Sequence, residues 1–363
     1  MKQKKEEKKK KLEISEELLL KPYIFKPSFP RWQVKGIFNP AAVRMPNKDI
    51  MLLIRVAESP SCDLKYKYPV IVSRGKYKVR LRSIDKKDFK EKKGNLIFLN
   101  DGTSRLVTLS HFKKIILDKN GFDLKAIYHK PIFYGKKGYE NLGVEDPRIT
   151  KINSKYLMTY VAVSIEEGIC AALAISRNLK KWKRKGVIFP DQNKDVVIFP
   201  EKIKGKYVAL HRPHGSLDFS NPSIWISYSK DLVYWGNEKE ILFPRENSWE
   251  ETRIGPGGPP IKTDKGWLLI YHGKNKSGTY SAGAALLGLK NPGRIIARSP
   301  IDKPLFKPTS MFEKKGFVNK VVFPTGVVED LDGESLLVYS GAADSYITVK
   351  KILIKDILDS LEY

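Results

Sequence analysis

The stretch Gly143-Val144-Glu145-Asp146-Pro147-Arg148 places two adjacent carboxylates and a guanidinium at the start of a strand-like run over 149–163. Proline disfavours helical backbone at the preceding residue, so we expect Asp146 to be extended. Neighbouring side chains of an extended segment point to opposite faces, so Glu145 and Asp146 are expected to have different roles. Considered alone, the hexapeptide is equally well explained by a surface salt bridge of Arg148. Its significance depends on the pattern that recurs around it.

A proline-containing entry, a short apolar strand, a polar turn and a second strand occur together five times. The entries begin at Asn39-Pro40, Asp146-Pro147, Phe199-Pro200, Pro259-Pro260 and Phe323-Pro324. The second strands are predicted at 51–57, 156–162, 207–213, 267–273 and 336–342. The last four entries are about 50–65 residues apart, close to the period of propeller blades built from several short strands. The sequence therefore predicts an all-β, five-bladed β-propeller, with a long insertion or a missed repeat after the first entry.

The composition is typical of a soluble globular domain, with 41% hydrophobic and 11% aromatic residues in 363. No apolar run approaches the roughly 18–20 residues of a membrane span, and the lysine-rich N-terminus lacks the apolar stretch of a signal peptide. We expect a lysine-rich tail at 1–20, a single propeller domain at 21–363 and no membrane association. Cys62 and Cys170 offer no disulfide framework, so the expected location is cytoplasmic.

The formal net charge of +27 supports two interpretations. A basic surface binds nucleic acid or another polyanion through counterion release. Alternatively, a lysine-rich surface is a general trait of some proteomes. The excess is spread along the chain and lacks the clustered arginines and interleaved aromatics of a nucleic-acid groove. We therefore expect no nucleic-acid partner, although the positive field would attract a small anionic substrate.

Basic side chains occupy corresponding points of neighbouring predicted blades. Lys194 precedes the third entry, and Arg212 and His214 end the second strand of that blade. Arg253 precedes the glycine-rich fourth entry, and His272 ends the strand that follows it. Because loops at one end of a propeller channel meet, we expect these groups to converge beside a carboxylic acid. Arginine offers a planar fork for an oxyanion and lysine a movable point charge, so the pattern predicts an oxyanion site.

Ordinary salt bridges are an alternative role for these residues, since arginine and histidine near strand ends commonly form them. His211 and His214 have the spacing of a metal-binding pair, but a third ligand is not evident, so no metal is expected. The run 255–260 lacks the Lys-Ser/Thr ending and the following helix of a phosphate loop, which favours a close-approach turn. The sequence also lacks serine-nucleophile and dinucleotide motifs, so nucleophilic serine chemistry and redox cofactors are poorly supported.

Six ordered blocks of sequence, within about residues 30 to 355, resemble glycoside hydrolase family 130. These blocks are 143–148, 199–203, 211–213, 255–261, 271–273 and 339–344. The family contains β-mannoside phosphorylases and some β-mannosidases, and its members are five-bladed propellers. The resemblance implies that the partners of this chain are a manno-oligosaccharide and inorganic phosphate as co-substrate, with no further cofactor.

The resemblance also implies a role for individual residues. Asp146 matches the acid that protonates the departing glycosidic oxygen in an inverting mechanism, in which phosphate attacks the opposite face and α-mannose 1-phosphate is released. The phosphate-binding cations of the family match Lys194, Arg212, Arg253 and His272. The residues that hold the mannose match Asn39, Arg55 and Asp344. Further candidate substrate contacts are Arg105, Glu145 and His214.

Charge favours a phosphorylase over a hydrolase on this scaffold. An inverting hydrolase needs a carboxylate base to activate water, whereas a phosphorylase needs cations, and a second carboxylate beside phosphate would repel it. All four matched positions carry a cation or an imidazole. A β-mannosidase and a non-catalytic propeller that binds an anion or a glycan remain as alternatives. To donate a proton, Asp146 would need a pKa raised above the usual value of about 3.9.

The segment between residues 58 and 140 is longer than expected for shorter members of the family. It is predicted to form a lid or an oligomer contact and to shape the acceptor subsite. The acceptor sugar, the β-1,2 or β-1,4 linkage and a homo-oligomeric state are therefore left open by the sequence.

Overall fold

The computed structural model describes residues 14–190, 192–214 and 219–363, which form a nearly all-β fold. Within these ranges there are twenty-six strands, numbered along the chain, a 3-10 turn at Pro22–Ile24 and two short helices, α1 (Met311–Lys314) and α2 (Ile354–Asp359). The all-β class predicted from the sequence is confirmed. Among the described residues, no helix has the length and apolar character needed to cross a membrane.

The first two groups of four strands belong to one eight-stranded sheet. The strands of the first group are β2 (Trp32–Arg44), β3 (Ile50–Pro60), β9 (Leu109–Leu117) and β10 (Leu124–Phe133). The strands of the second group are β11 (Gly143–Ile152), β12 (Lys155–Val163), β13 (Ile169–Ser176) and β14 (Lys183–Phe189). A single parallel pairing of Gly143 with Ser110 joins the two groups.

Three further groups follow in separate sheets. The third contains β15 (Asn193–Ile198), β16 (Tyr207–Pro213), β17 (Ile224–Ser229) and β18 (Trp235–Leu242). The fourth contains β19 (Arg253–Pro256), β21 (Trp267–Lys274), β22 (Tyr280–Leu287) and β23 (Ile295–Arg298), with the short β20 (Ile261–Lys262) beside β21. The fifth contains β24 (Val322–Glu329), β25 (Ser335–Ala342), β26 (Tyr346–Leu353) and β1 (Ile14–Leu20).

Apolar clusters lie between successive groups. The first and second groups share one cluster, and the second and third, third and fourth, and fourth and fifth groups share three more. A fifth cluster joins the last group to the first, since it contains both Tyr339 of β25 and Ile54 of β3. Burial of these side chains is the main stabilising contribution to such a packing. Each group therefore packs against the next one along the chain, and the fifth packs against the first.

The N-terminal strand β1 corrects the predicted boundary of the tail. The sequence predicts a tail over 1–20, but Ile14–Leu20 pairs antiparallel with β26. Leu20 is buried in the cluster between the fifth and first groups. The Nζ of Lys350 lies 2.7 Å from a carboxylate oxygen of Glu16 and 2.6 Å from one of Glu313, which ties β1 to β26 and α1. This strand has no proline-containing entry, so the repeat pattern does not reveal it.

We expect Leu20→Ala to lower the free energy of unfolding by about 2–5 kcal/mol, because it removes a buried side chain and leaves a cavity. Glu17→Ala is the matched control, since Glu17 lies on the exposed side of the same strand. Urea unfolding of both variants measures the difference. Equal midpoints for Leu20→Ala and the unaltered protein would contradict the proposed stabilising role of β1.

A β-bulge recurs in the first strand of the first three groups. The register shifts between Phe38 and Ala41, between Glu145 and Arg148, and between Lys194 and Val197. The bulged residues with positive φ are Asn39 (52°), Asp146 (48°) and Asp195 (58°). Asparagine and aspartate tolerate this left-handed conformation better than other residues with a Cβ, and bulges re-aim side chains. Three groups thus present a polar side chain from an equivalent position.

The third and fourth predicted entries are displaced from the observed strands. β15 ends at Ile198, so Phe199-Pro200 follows the first strand of its group instead of opening it. Pro259-Pro260 likewise lies between β19 and β20. The true equivalent of Asp146 in the third group is Asp195, which precedes a valine where the first two groups have proline. Because the search for repeats relied on proline, it misaligned this group.

The long segment between β3 and β9 forms two small sheets of its own. One pairs β4 (Lys67–Ile71) with β5 (Val79–Ser83), and the other contains β6 (Phe89–Lys93), β7 (Leu96–Leu99) and β8 (Ser104–Leu106). Their apolar side chains share a cluster with Leu142, which directly precedes β11, and with Val161 of β12. The insertion is therefore packed against the second group.

Candidate active site

Asp146 lies buried at the bulge of β11. Its Oδ1 accepts a hydrogen bond from Nδ2 of Asn39 at 2.8 Å and another from Nη1 of Arg55 at 3.0 Å. The three residues come from three different strands of the first two groups. This convergence brings together the predicted acid and two of the predicted sugar contacts.

Arg55 contacts both carboxylates of the segment 143–148, those of Glu145 and Asp146. Its Nη2 donates to Oε1 of Glu145, while its Nε donates to Oγ of Ser110 at 3.1 Å. Its guanidinium also lies over the ring of Phe38, 4.4 Å from the centroid. The expectations that Asp146 is extended and that it points away from Glu145 are both wrong, because the left-handed bulge interrupts the alternation of β11. Both carboxylates meet the same guanidinium.

Arg148 supports Asp146 through the main chain instead of forming a surface salt bridge. The guanidinium is buried and donates from Nη1 to the carbonyl oxygen of Asp146 at 2.8 Å. Its Nε donates to the carbonyl oxygen of Gly257 at 3.0 Å, and its Nη2 to Oδ1 of Asp195 at 3.1 Å. Arg148 therefore links the candidate acid to the glycine-rich turn and to the equivalent bulge of the third group.

The electrostatic environment of Asp146 differs from the expectation of a raised pKa. Burial acts to raise the pKa of this carboxyl, but the charges of Arg55 and Arg148, followed by the hydrogen bond from Asn39 and the charge of Lys194, lower it below its usual value. The substrate-free protein therefore holds Asp146 ionised. In this ionised state the carboxylate accepts hydrogen bonds and has no proton to donate.

Asp344 is the carboxyl whose pKa is raised, to about 6. Burial is the main cause, and the charges of Asp146 and Glu145 add to it while Arg55 opposes it. The residue follows β25 in a left-handed conformation, with φ of 48°. Nearby, a Cβ on Gly341 would lie 2.5 Å from Oδ1 of Asn39, so only glycine fits beside that side chain. The structure thus places Asp344 close enough to Arg55, Asp146 and Glu145 for their charges to affect its pKa.

We expect Asp344→Asn to raise the melting temperature at neutral pH and to leave it unchanged near pH 4. A folded-state pKa of about 6 exceeds the unfolded value of about 3.9. The folded protein therefore binds more protons between these values, and its stability falls as the pH rises through them. Neutralising the side chain should recover about 1–2 kcal/mol above pH 6, allowing for partial exposure. Equal shifts at both pH values, measured calorimetrically without sugar, would contradict this account.

The predicted cations converge around a buried carboxylate, Asp195. Its Oδ2 accepts from Nε of Arg212 at 2.7 Å and lies 3.6 Å from Nε2 of His272, while its Oδ1 accepts from Arg148. The charge of Arg212, followed by His272 and Arg148, lowers the pKa of Asp195 despite its burial. A second carboxylate in the phosphate site was expected to repel the anion. Here its oxygens are already engaged by two arginines, so its charge is compensated.

Lys194 and Arg253 extend this cationic group on either side. Lys194 is paired across the β15–β16 ladder with Arg212. Arg253 is paired across β19 and β21 with Lys274, and its Nη1 donates to the hydroxyl of Tyr280 at 3.3 Å. The Nε of Arg253 is buried without a hydrogen-bond partner among the described residues. The structure thus brings together the four predicted phosphate-binding residues.

His272 lies at the centre of this group, fully buried on β21. Its ring packs against Phe323, with centroids 4.1 Å apart, and a Cβ on Gly255 would lie 2.6 Å from its Cε1. Burial lowers the pKa of His272 to about 3; Asp195 opposes the shift, and the charges of Arg212, Arg148 and Arg253 add to it. The imidazole is therefore neutral in the substrate-free protein.

Three residues of this arrangement were missed by sequence reasoning: Asp195, Lys274 and Tyr280. Alignment of the bulges would have revealed Asp195, since Lys194-Asp195 corresponds to Glu145-Asp146. Lys274 stands two residues after His272 on the same face of β21, and its Nζ lies 5.6 Å from the centroid of the Tyr280 ring. Because alternate side chains of a strand share a face, Lys274 could have been predicted from the position of His272.

A cavity of about 570 Å³ lies between this site and the insertion. Arg55, Glu145 and Lys194 line it on one side, and Arg105 of β8 lines it on the other. The guanidinium of Arg105 lies over Tyr68, 5.7 Å from the ring centroid. The insertion therefore forms a wall of the site. The main-chain N–H of His214 donates at 3.0 Å to the carbonyl oxygen of Gln192, which lines the cavity.

The described residues contain no group of three histidine, cysteine, aspartate or glutamate side chains that could hold a metal ion. Within the pair noted in the sequence, His211 is buried, and both of its ring nitrogens are engaged. Nδ1 contacts the amide nitrogen of Asn193 at 2.9 Å, and Nε2 contacts Oγ of Ser227 at 2.8 Å. These contacts indicate a structural role for His211.

Known proteins resemble this chain over most of its length. A family model described as glycoside hydrolase 130, beta-1,4-mannooligosaccharide phosphorylase, matches residues 111–363. A Listeria innocua protein named beta-1,2-mannobiose phosphorylase is 35% identical over 95% of this chain and 96% of its own. A Thermoanaerobacter protein named 1,2-beta-oligomannan phosphorylase is 42% identical over 66% of this chain and 78% of its own.

The solved structures include a similar fold. The structure of beta-1,2-mannobiose phosphorylase from Listeria innocua in complex with beta-1,2-mannobiose superposes with a TM-score of 0.85 at 34% identity. The match covers 94% of this chain and 96% of the other.

Proposed function

This chain belongs to glycoside hydrolase family 130, and we propose that it catalyses the inverting phosphorolysis of a β-mannoside by inorganic phosphate, releasing α-mannose 1-phosphate. The observation on which the proposal rests is the similarity of nearly the full chain to a phosphorylase of β-mannosides. The cationic group around Asp195 supports phosphate as the nucleophile. Phosphate is a co-substrate here, and the proposal needs no other cofactor.

We propose β-1,2-linked manno-oligosaccharides as the substrates. The description of the family model names a β-1,4 linkage, whereas the names of the Listeria and Thermoanaerobacter relatives both contain a β-1,2 linkage. The relatives carry more weight, because one of them matches the chain almost from end to end. The cavity beneath the insertion is the proposed acceptor subsite, with Arg105, Glu145 and His214 at its borders.

The division of charge suits this reaction. One region is suited to sugar hydroxyls, because it combines two carboxyl groups, an amide and a guanidinium. Its residues are Asp146, Asp344, Asn39 and Arg55. Lys194, Arg212, Arg253 and His272 form a region suited to an oxyanion. An inverting reaction needs a proton donor on one face of the sugar and a nucleophile on the other. We propose Asp146 as the donor and the cationic group as the holder of phosphate.

Binding of phosphate supplies a reason for Asp146 to gain a proton. The positive charges of Arg55, Arg148 and Lys194 hold the pKa of Asp146 low in the substrate-free protein. A phosphate dianion beside these cations would offset their effect and raise the pKa of the carboxyl. The proton then passes to the leaving oxygen, either directly or through a mannose hydroxyl, as the C1–O bond breaks and a phosphate oxygen bonds to C1.

We also propose that the five groups of strands are the blades of one five-bladed β-propeller. Each group has four principal strands, and apolar clusters link every successive pair as well as the fifth group with the first. In this arrangement β1 completes the last blade, so the domain includes Ile14–Leu20. The first strands would then line a central channel and bring Asn39, Asp146 and Asp195 to one site.

The function is tested by incubating the protein with β-1,2- and β-1,4-mannobiose, each with and without phosphate, and by assaying mannose 1-phosphate and mannose. We expect mannose 1-phosphate from β-1,2-mannobiose only when phosphate is present. Free mannose as the sole product without phosphate would indicate a β-mannosidase. Product from β-1,4-mannobiose alone would overturn the proposed linkage but keep the reaction.

A further inference from the structure

His272 has a hydrogen-bonding capacity that the protein leaves unused. The side chain is fully buried, yet neither Nδ1 nor Nε2 has a hydrogen-bond partner among the described residues. A neutral imidazole has one N–H donor and one acceptor nitrogen. Burying both without partners costs free energy, so their retention here indicates a ligand that supplies the missing contacts.

Asp195 determines which nitrogen carries the proton. Its Oδ2 is 3.6 Å from Nε2 of His272. An N–H at this position is attracted by the carboxylate, while an unprotonated nitrogen would face it with a lone pair. Asp195 is itself held by Arg148 and Arg212, so it cannot turn away without losing both contacts. The arrangement therefore favours a proton on Nε2 and leaves Nδ1 as an acceptor.

We propose that Nδ1 of His272 accepts a hydrogen bond from the protonated oxygen of hydrogen phosphate, with Asp195 as the positioning residue that fixes the imidazole tautomer. This inference rests on the proposed function, since it concerns the phosphate site of that reaction. The surrounding arginines and Lys194 neutralise the charge of any tetrahedral dianion. His272 adds a requirement for a proton on the anion and leaves the unprotonated oxygens free for contact with the cations and with C1 of the sugar.

The consequence is discrimination between anions of the same shape and charge. In mildly alkaline solution phosphate and sulfate are both tetrahedral dianions, but only hydrogen phosphate has a proton to donate. Sulfate would place an acceptor oxygen against the acceptor nitrogen of His272. A site built to bind a hydroxyl group rejects an analogue that lacks it, because its own buried polar group is left unpaired. Arsenate, which is protonated like phosphate, should be accepted.

The experiment is titration calorimetry of the full chain with phosphate, arsenate and sulfate, without sugar and in mildly alkaline buffer. We expect sulfate to bind at least about tenfold more weakly than phosphate, and arsenate to bind within a few-fold of it. His272→Phe keeps a ring against Phe323 but removes both nitrogens. It should weaken phosphate binding and bring the ratio of the phosphate affinity to the sulfate affinity close to one. Asp195→Asn should lower the same ratio.

Lys274→Gln is the matched control. It removes a charge beside Arg253 without altering His272, so it should weaken phosphate and sulfate equally and leave their ratio unchanged. Sulfate binding as tightly as phosphate to the unaltered protein would overturn the proposal, because it would mean that His272 is a cation or a donor in the complex. A ratio unchanged in His272→Phe would overturn it as well.

These outcomes are separate from those that test the reaction. The absence of mannose 1-phosphate in the activity assay would contradict the proposed function but would not alter anion discrimination measured without sugar. Discrimination that appeared only in the presence of mannobiose would assign the unused nitrogen to a sugar hydroxyl and would overturn the assignment to phosphate.

Discussion

Asp146→Asn is expected to lower kcat for mannobiose phosphorolysis by about 10²–10⁴-fold, because the amide cannot donate the proton that the leaving oxygen needs. The fold should persist, since an amide oxygen can still accept the hydrogen bonds from Asn39 and Arg55 that the carboxylate accepts now. Initial rates of mannose 1-phosphate release at saturating phosphate measure the effect. A melting curve close to that of the unaltered protein shows that the variant is folded.

Glu145→Gln is the matched control for this experiment. Glu145 contacts the same guanidinium as Asp146, and both carboxylates are buried. Loss of its charge perturbs Arg55 to a comparable degree, yet we assign it no role in proton transfer. We therefore expect less than about a tenfold loss of kcat. If Glu145→Gln were inactive and Asp146→Asn active, the two assignments would have to be exchanged.

Arg253→Ala is expected to raise the KM for phosphate by about 10–100-fold, since a charge-assisted hydrogen bond contributes about 1.5–3 kcal/mol. Arg253 is suited to this test because its Nε is buried without a hydrogen-bond partner among the described residues, and its one described side-chain bond is a long one to Tyr280. Its removal therefore leaves few internal contacts unmade. Rates at several phosphate concentrations, with mannobiose saturating, separate the change in KM from any change in kcat.

The control for Arg253→Ala is Lys276→Ala, which removes a cation that is paired on the surface with Glu251, at 3.3 Å. We expect its KM for phosphate to be unchanged. If Arg253→Ala lowered kcat without affecting the KM for phosphate, the residue would act on the sugar or on the transition state, and its assignment to phosphate binding would be wrong.

The sequence predicted the all-β class and the family, because both depend on local patterns. The second strands of all five groups were located from the recurring order of entry, apolar strand, polar turn and second strand, and they correspond to β3, β12, β16, β21 and β25. The β1 strand was missed, because it pairs with a strand more than 300 residues away. The pairing of β1 with β26 depends on the two ends of the described chain meeting, which no local sequence pattern shows.

The candidate site was predicted less completely, and Asp195 shows why. Its position depends on a bulge that recurs in three strands, and the bulge is marked by proline in only two of them. The ionisation of Asp146 could not be predicted either, because it results from Arg55 and Arg148, which reach the carboxyl from different strands. Burial of an acid is visible in a hydrophobic pattern, whereas the placement of two guanidiniums around it is not.

The most direct test of the central claim is the identity and anomeric form of the first product from β-1,2-mannobiose in phosphate whose oxygens carry an isotopic label. Proton and phosphorus magnetic resonance follow the reaction before any equilibration of the sugar. The account predicts equal amounts of mannose and α-mannose 1-phosphate. The oxygen that joins C1 to phosphorus in the mannose 1-phosphate should carry the label. β-Mannose 1-phosphate, or free mannose with no mannose 1-phosphate formed, would contradict inverting phosphorolysis at this site.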